Sequence, residues 1–252
     1  MRRLIIGLAC VVVAVFGYFF WHQHQQQLLQ QEQQQQQVFD QVMSEKMELL
    51  YQQAKDWKTP LHMQIKDARI QGDYKVMSEF ILKFWMDNIE ARNHYLRTLE
   101  QAEWDHFLDA RRFEKDRAQG YRQTTQMLQT VKQASADFQT QREQITQVAL
   151  AQVKTLEMKS ALRNAMRDKL EITQADSDEV AILQLELQII QRAEQMFQLL
   201  KIHPWVRQDK LFLFKDQTQV KQFNQLYQQV LSLQKQINEI KQQNARVFEQ
   251  DQ

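Results

Sequence analysis

The steadiest periodicity in the chain lies at its C-terminal end. Phe223, Leu226, Val230, Leu233, Ile237, Ile240, Asn244 and Val247 alternate steps of three and four without a miss. On a helix this puts Phe, Val, Ile and Asn at heptad a positions and Leu, Leu, Ile and Val at d positions. The spacing predicts a heptad helix over 216–252. An Asn at an a position sets register and favours two strands. The flanking Tyr227, Gln234 and Lys241, with Gln229, Gln236 and Gln243, carry no complementary charges to select a distinct partner. Two packings satisfy such a seam: another helix of the same chain, or a second copy in a parallel homodimer.

Weaker stripes of the same period run through the middle of the chain. Phe39, Met43, Met47, Leu50, Ala54 and Trp57 lie on one face of a helix that Lys58-Thr59-Pro60 ends. A short segment follows and stops at Gly72, read as a left-handed cap. Asp73 to about Ala118 is predicted as one helix rich in rings, among them Tyr74, Phe80, Phe84, Trp85, Tyr95, Trp104, Phe107 and Phe113. Those rings either fill the core or line a groove for an apolar ligand or a partner helix. Gly120 marks a break, and Tyr121 to about Leu170 is expected as one long bundle helix. Asp176 and Glu179 resemble a capping box. They open a helix carrying Leu183, Leu187, Ile190, Ala193, Phe197 and Leu200 that ends before His203-Pro204. Residues 202–215 then form an apolar connector containing Trp205, Leu211, Phe212, Leu213 and Phe214. It is expected either to pack on the end of the bundle or to present a docking patch.

The N-terminal end has no amphipathic period at all. Leu4 to Trp21 is an uncharged apolar run behind Arg2 and Arg3, about 27 Å long as a helix and so close to the ~30 Å hydrocarbon core. The next basic residue is Lys46, so the positive-inside bias leaves residues 1–3 in the cytoplasm and carries the remainder across. A cleaved signal peptide lacks a small-x-small site here. A lipoprotein signal at Cys10 has Gly7 where leucine is wanted three residues earlier. The reading is an uncleaved anchor at 4–21, a glutamine-rich helical stalk at 22–57 and a helical bundle core at 58–201. The fold class expected is all-α: one transmembrane helix, then an elongated antiparallel bundle with coiled-coil character.

Composition sharpens this picture. Four glycines and two prolines in 252 residues leave little material for tight strand turns, which favours helices. A formal charge of +1 offers no surface for nucleic acid. The single cysteine, Cys10, sits in the apolar run, so no disulfide staples the body.

Candidate chemistry is thin. Glu103 and His106 have the Glu-x-x-His spacing that places carboxylate and imidazole on one helix face, but di-iron bundles need two such motifs and two more glutamates. No glycine-rich phosphate loop, nucleophile elbow or cysteine nucleophile is present. No cofactor is implied. The function expected is a non-enzymatic, membrane-anchored envelope protein facing the periplasm of a bacterial inner membrane, binding a protein partner through helical surfaces as scaffold, assembly or secretion accessory. The alternative is a membrane-tethered chaperone holding an apolar client. Partner-binding candidates are the connector residues Trp205, Leu211, Phe212, Leu213 and Phe214 and the heptad residues Phe223, Leu226, Val230, Leu233, Ile237, Ile240, Asn244 and Val247.

Overall fold

The structure is a computed structural model that describes the backbone of residues 32–175 and 178–250, and the side chains of 32–171 and 178–243. The membrane segment expected at Leu4 to Trp21, the first part of the stalk, the capping Asp176, and the side chains of Asn244 and Val247 lie outside the described residues. Among the described residues no helix is long and apolar enough to cross a membrane.

The chain is mostly helical, as the all-α reading expects. Helix α1 covers residues 32–55. It is followed by α2 (Gly72–Gln101), a single 3-10 turn (Trp104–His106), α3 (Ala110–Arg117), α4 (Arg122–Val153), α5 (Ser160–Ala175) and α6 (Asp178–Ile202). Two short strands, β1 (Trp205–Gln208) and β2 (Leu211–Phe214), form an antiparallel hairpin before α7 (Gln217–Gln250). Helix α4 returns along α2, α6 runs beside α4, and α7 doubles back along α6.

Three hydrophobic clusters are stacked along this bundle. At one end Ala149, Val153, Met166 and Leu170 pack with Met77, Phe80 and Phe84. Ala91, Tyr95, Ala134, Phe138 and Leu183 form the middle, where the Tyr95 and Phe138 rings stack at 5.0 Å. At the far end Phe107, Phe113, Tyr121, Val131, Phe197, Leu200 and Trp205 meet. Thirty residues of α2 separate the two ends by roughly 45 Å.

Residues 32–55 are part of this body rather than a free stalk, because Val42 and Leu50 are buried. Residues 56–71 run back beside α1 as an extended strap. The Gln53 side-chain amide and the backbone of His62 exchange two hydrogen bonds of 3.0 Å, and Lys46 Nζ donates to the Gln64 carbonyl at 2.6 Å. Nearer Gly72, Arg69 grips both Glu45 and Asp67. Those bonds from Arg69 hold the Asp67 carboxyl down to about 2. Side chains of α1 thus satisfy a strap backbone that has no sheet to pair with. Gly72 is left-handed, with φ of 57°, but it opens α2 instead of closing a helix.

Two long helices expected from the sequence are each broken. The ring-rich one stops at Gln101: Glu103 turns left-handed with φ of 54°, and the chain resumes as α3 behind an Asp109 cap on the Arg112 amide. The break swings Phe107 into the core, 3% exposed. The second stops at Val153, and Leu156 and Met158 fold onto the lower cluster before α5 begins.

One buried residue is costly. Asn93 on α2 is fully buried, and neither amide atom meets a partner among the described residues. Replacing an unsatisfied buried amide by an apolar group of similar volume removes a desolvation penalty of about 1–3 kcal/mol. We therefore expect Asn93→Leu to raise the urea midpoint, with a gain in stability of about 1 kcal/mol once imperfect packing is subtracted. A lowered midpoint would show that the amide is satisfied in solution.

Candidate functional site

The apolar connector predicted over 202–215 is a hairpin. Trp205 pairs with Phe214, Val206 with Leu213, Arg207 with Phe212 and Gln208 with Leu211. Strand side chains alternate between faces, so Trp205, Arg207, Phe212 and Phe214 share one face and Val206, Gln208, Leu211 and Leu213 the other. Asp209 supplies the positive φ, 54°, that a two-residue turn demands.

The inner face is clamped to the bundle. Trp205 is 3% exposed, and its indole N–H donates to the Leu200 carbonyl at 2.8 Å, an acceptor left over at the end of α6 that also receives the Tyr121 hydroxyl. Phe212 meets Trp205, Phe113 and Phe223 edge-on or tilted, at 5.0 to 5.6 Å. Two arginines fix the hairpin from outside the core. Arg117 lies 4.5 Å over the Trp205 ring and donates to its carbonyl, and Arg207 pairs with Glu114 at 2.7 Å.

The outer face has no such cover. Val206 is 57% exposed, Leu211 61% and Leu213 39%. A small rigid platform of aliphatic side chains results, at the end of the bundle farthest from residue 32.

The heptad seam is used inside the chain. Leu233 and Ile237 are buried, Phe223, Leu226, Val230 and Ile240 are half-buried, and α7 lies along α6. Of the predicted partner-binding residues, Trp205, Phe212, Phe214, Leu233 and Ile237 are core instead, and Leu211 and Leu213 remain available. Val206 and Ile202 both fall within the connector expected over 202–215, and neither is among the partner-binding candidates. Only the strand register shows Val206 beside Leu213.

A second concavity lies on the flank of the bundle. Met47, Tyr51 and Lys55 of α1, Trp57 of the strap, Trp85, Ile89 and Arg92 of α2, Glu179 and Glu186 of α6, and Lys241 of α7 surround a groove of about 510 Å³. Part of the ring-rich helix thus does line a groove, while its other rings fill the core. Burial pushes the half-buried Glu186 carboxyl up, opposed by Lys241, a hydrogen bond with Tyr95, and Arg92.

Glu103 and His106 do not share a regular helix face, because the 3-10 turn begins between them. Among the described residues no group of three or more His, Cys, Asp or Glu side chains is placed to hold a metal ion.

No protein-family model, curated protein or solved structure matches this chain.

Proposed function

We propose that this protein is a non-enzymatic, membrane-anchored envelope protein that docks a protein partner on the outer face of its hairpin. The observation that carries the reading is the contrast between the two hairpin faces. One is bonded and packed to the bundle, whereas the other holds Val206, Leu211 and Leu213 in water. Three short polar side chains there would serve a monomer better, since exposed apolar clusters lower solubility unless they are covered. A preformed rigid patch also loses little conformational freedom on binding.

The anchor rests on the sequence: Arg2 and Arg3 ahead of the uncharged run Leu4 to Trp21. With that anchor, the hairpin stands at the end of the body away from the membrane, roughly 45 Å beyond the end where α2 begins. The heptad seam packs on α6, so docking is assigned to the hairpin face rather than to a helix stripe.

A photo-crosslinking side chain at Leu211 of the full-length protein in cells tests this directly. We expect one discrete protein adduct that Val206→Asp removes, with the Tm unchanged because both positions face outward. The same substitution weakens binding of the captured partner by about tenfold or more, a loss of about 1.4 kcal/mol or more. An adduct pattern identical to that from the exposed control position Gln184 on α6 would sink the docking reading. A reporter fused at Gln252 that is active only in the cytosol would sink the orientation.

The second reading, a tethered chaperone, draws on the concave groove beside Trp85. A volume of about 510 Å³ holds about one turn of α-helix, whose diameter with side chains is about 10–12 Å, so a polypeptide client fits it poorly.

A further inference from the structure

The flank groove is independent of the hairpin, and its charges carry an inference of their own. We propose that it binds a small aromatic carboxylate, with the ring system against Trp57 and Trp85 and the carboxylate between Arg92 and Lys241. The volume of about 510 Å³ falls within the ~300–1,000 Å³ of small-molecule sites. Its walls offer ring faces from separate segments, and the Trp85 indole is 36% exposed although it belongs to a helix whose other rings are mostly packed away. An indole left facing a concavity is a stacking surface for a flat ligand.

Charge decides the class of ligand. Three cations, Lys55, Arg92 and Lys241, line the groove against Glu179 and Glu186. Glu179 is already engaged by Arg142 at 3.3 Å, and Lys55 lies 4.3 Å over the Tyr51 ring. Arg92 and Lys241 both feel Glu186 electrostatically, yet neither forms an ion pair among the described residues. One half-buried carboxyl, hydrogen-bonded to Tyr95, thus faces two cations on different helices. With Glu179 engaged by Arg142, the cations of the groove outnumber the carboxyl left to them, which favours an incoming carboxylate. An amine ligand would meet the same pair and be repelled.

The test uses full-length protein in lipid nanodiscs, with empty discs subtracted, and three probes that share one ring: 2-naphthylacetate, 2-naphthylethanol and 2-naphthylmethylamine. Calorimetry is expected to show saturable one-to-one binding of the acid, at least tenfold tighter than of the amine, with the alcohol between. Arg92→Gln and Lys241→Gln each weaken the acid by about tenfold, the loss of one charge-assisted contact. Glu186→Gln, which removes the competing negative charge, tightens it several-fold. The proposal is overturned if the amine binds as well as the acid, if Glu186→Gln weakens the acid, or if both cation substitutions leave its affinity unchanged. Absence of saturable binding by protein with an intact thermal transition would overturn it as well.

Discussion

Phe113→Ala is expected to lower the stability of the protein by about 4 kcal/mol, within the range for deleting a buried ring. In a domain of this size that corresponds to a Tm roughly 8–16 °C lower. Phe113 has no exposed surface and stands at the centre of the far cluster. Phe107, Tyr121, Phe197 and Phe212 all present edges or tilted rings to it, at 6.0, 6.2, 6.1 and 5.4 Å, and the Arg112 guanidinium lies 4.9 Å above it. Neighbours drawn from five segments cannot all collapse into the space an alanine leaves, so the cavity cost adds to the lost transfer energy. Because Phe212 is one of those neighbours, the hairpin loosens too. Thermal unfolding followed by far-UV circular dichroism measures the effect. A change below about 1.5 kcal/mol, the level of a volume-conserving swap, would show that the far cluster is not a tight core.

Asp116→Ala should cost about 3 kcal/mol, the value for removing one member of a buried charged network. Asp116 is 3% exposed at the end of α3 and caps the next helix from outside its own sequence. Its carboxylate accepts from the amides of Gln123 and Thr124 at 3.0 and 2.8 Å and from the Thr124 hydroxyl at 2.7 Å. That hydroxyl in turn accepts from Arg112 at 3.0 Å. Deleting the carboxylate strands two first-turn amides of α4 and a half-buried guanidinium. Burial alone would push the Asp116 carboxyl up, but the three donors and Arg112 outweigh it and hold the carboxyl below the usual carboxylate range. A depressed folded value means that the stabilisation is present in full above the unfolded value of about 3.9 and is lost as pH falls through the lower folded value. Urea midpoints measured from pH 7 down to pH 2 should therefore show a larger acid loss for the native chain than for Asp116→Ala. Parallel curves for the two proteins would mean that Asp116 is not charged in the folded state.

Neither Phe113 nor Asp116 was singled out by the spacing of residues, and the reasons differ. Phe113 sits on an eight-residue helix, too short for a stripe to separate it from its polar neighbours. Asp116 looks like an ordinary surface acid, since the helix it caps begins six residues later and its cap geometry depends on Tyr121 turning left-handed with φ of 60°. The strap leaves its own mark in the sequence. Leu61, Met63 and Ile65 alternate with His62, Gln64 and Lys66, a period of two in which the first set is half-buried and the second exposed. The hairpin carried a faint signal, because Asp-Lys at its turn is a poorer signature than Asn-Gly or Asp-Gly.

What could be read directly from the residues was everything that repeats. Period-3.6 and heptad spacing marked α6 and α7 and the helical class, since burial of one face along a whole helix leaves a mark at every turn. The scarcity of glycine and proline agreed with that class, the left-handed φ at Gly72 followed from glycine's missing side chain, and Gly120 was legible as a break. Whatever depends on one contact between distant segments left no repeat to find. The break after Gln101 has no breaker residue and exists because Phe107 gains a place beside Phe113. The heptad seam lies along α6 because the hairpin returns the chain beside it. Val206, Leu211 and Leu213 form one exposed face only through the pairing of two four-residue strands, and Arg92 meets Lys241 across Glu186 only once α7 has folded back along α6.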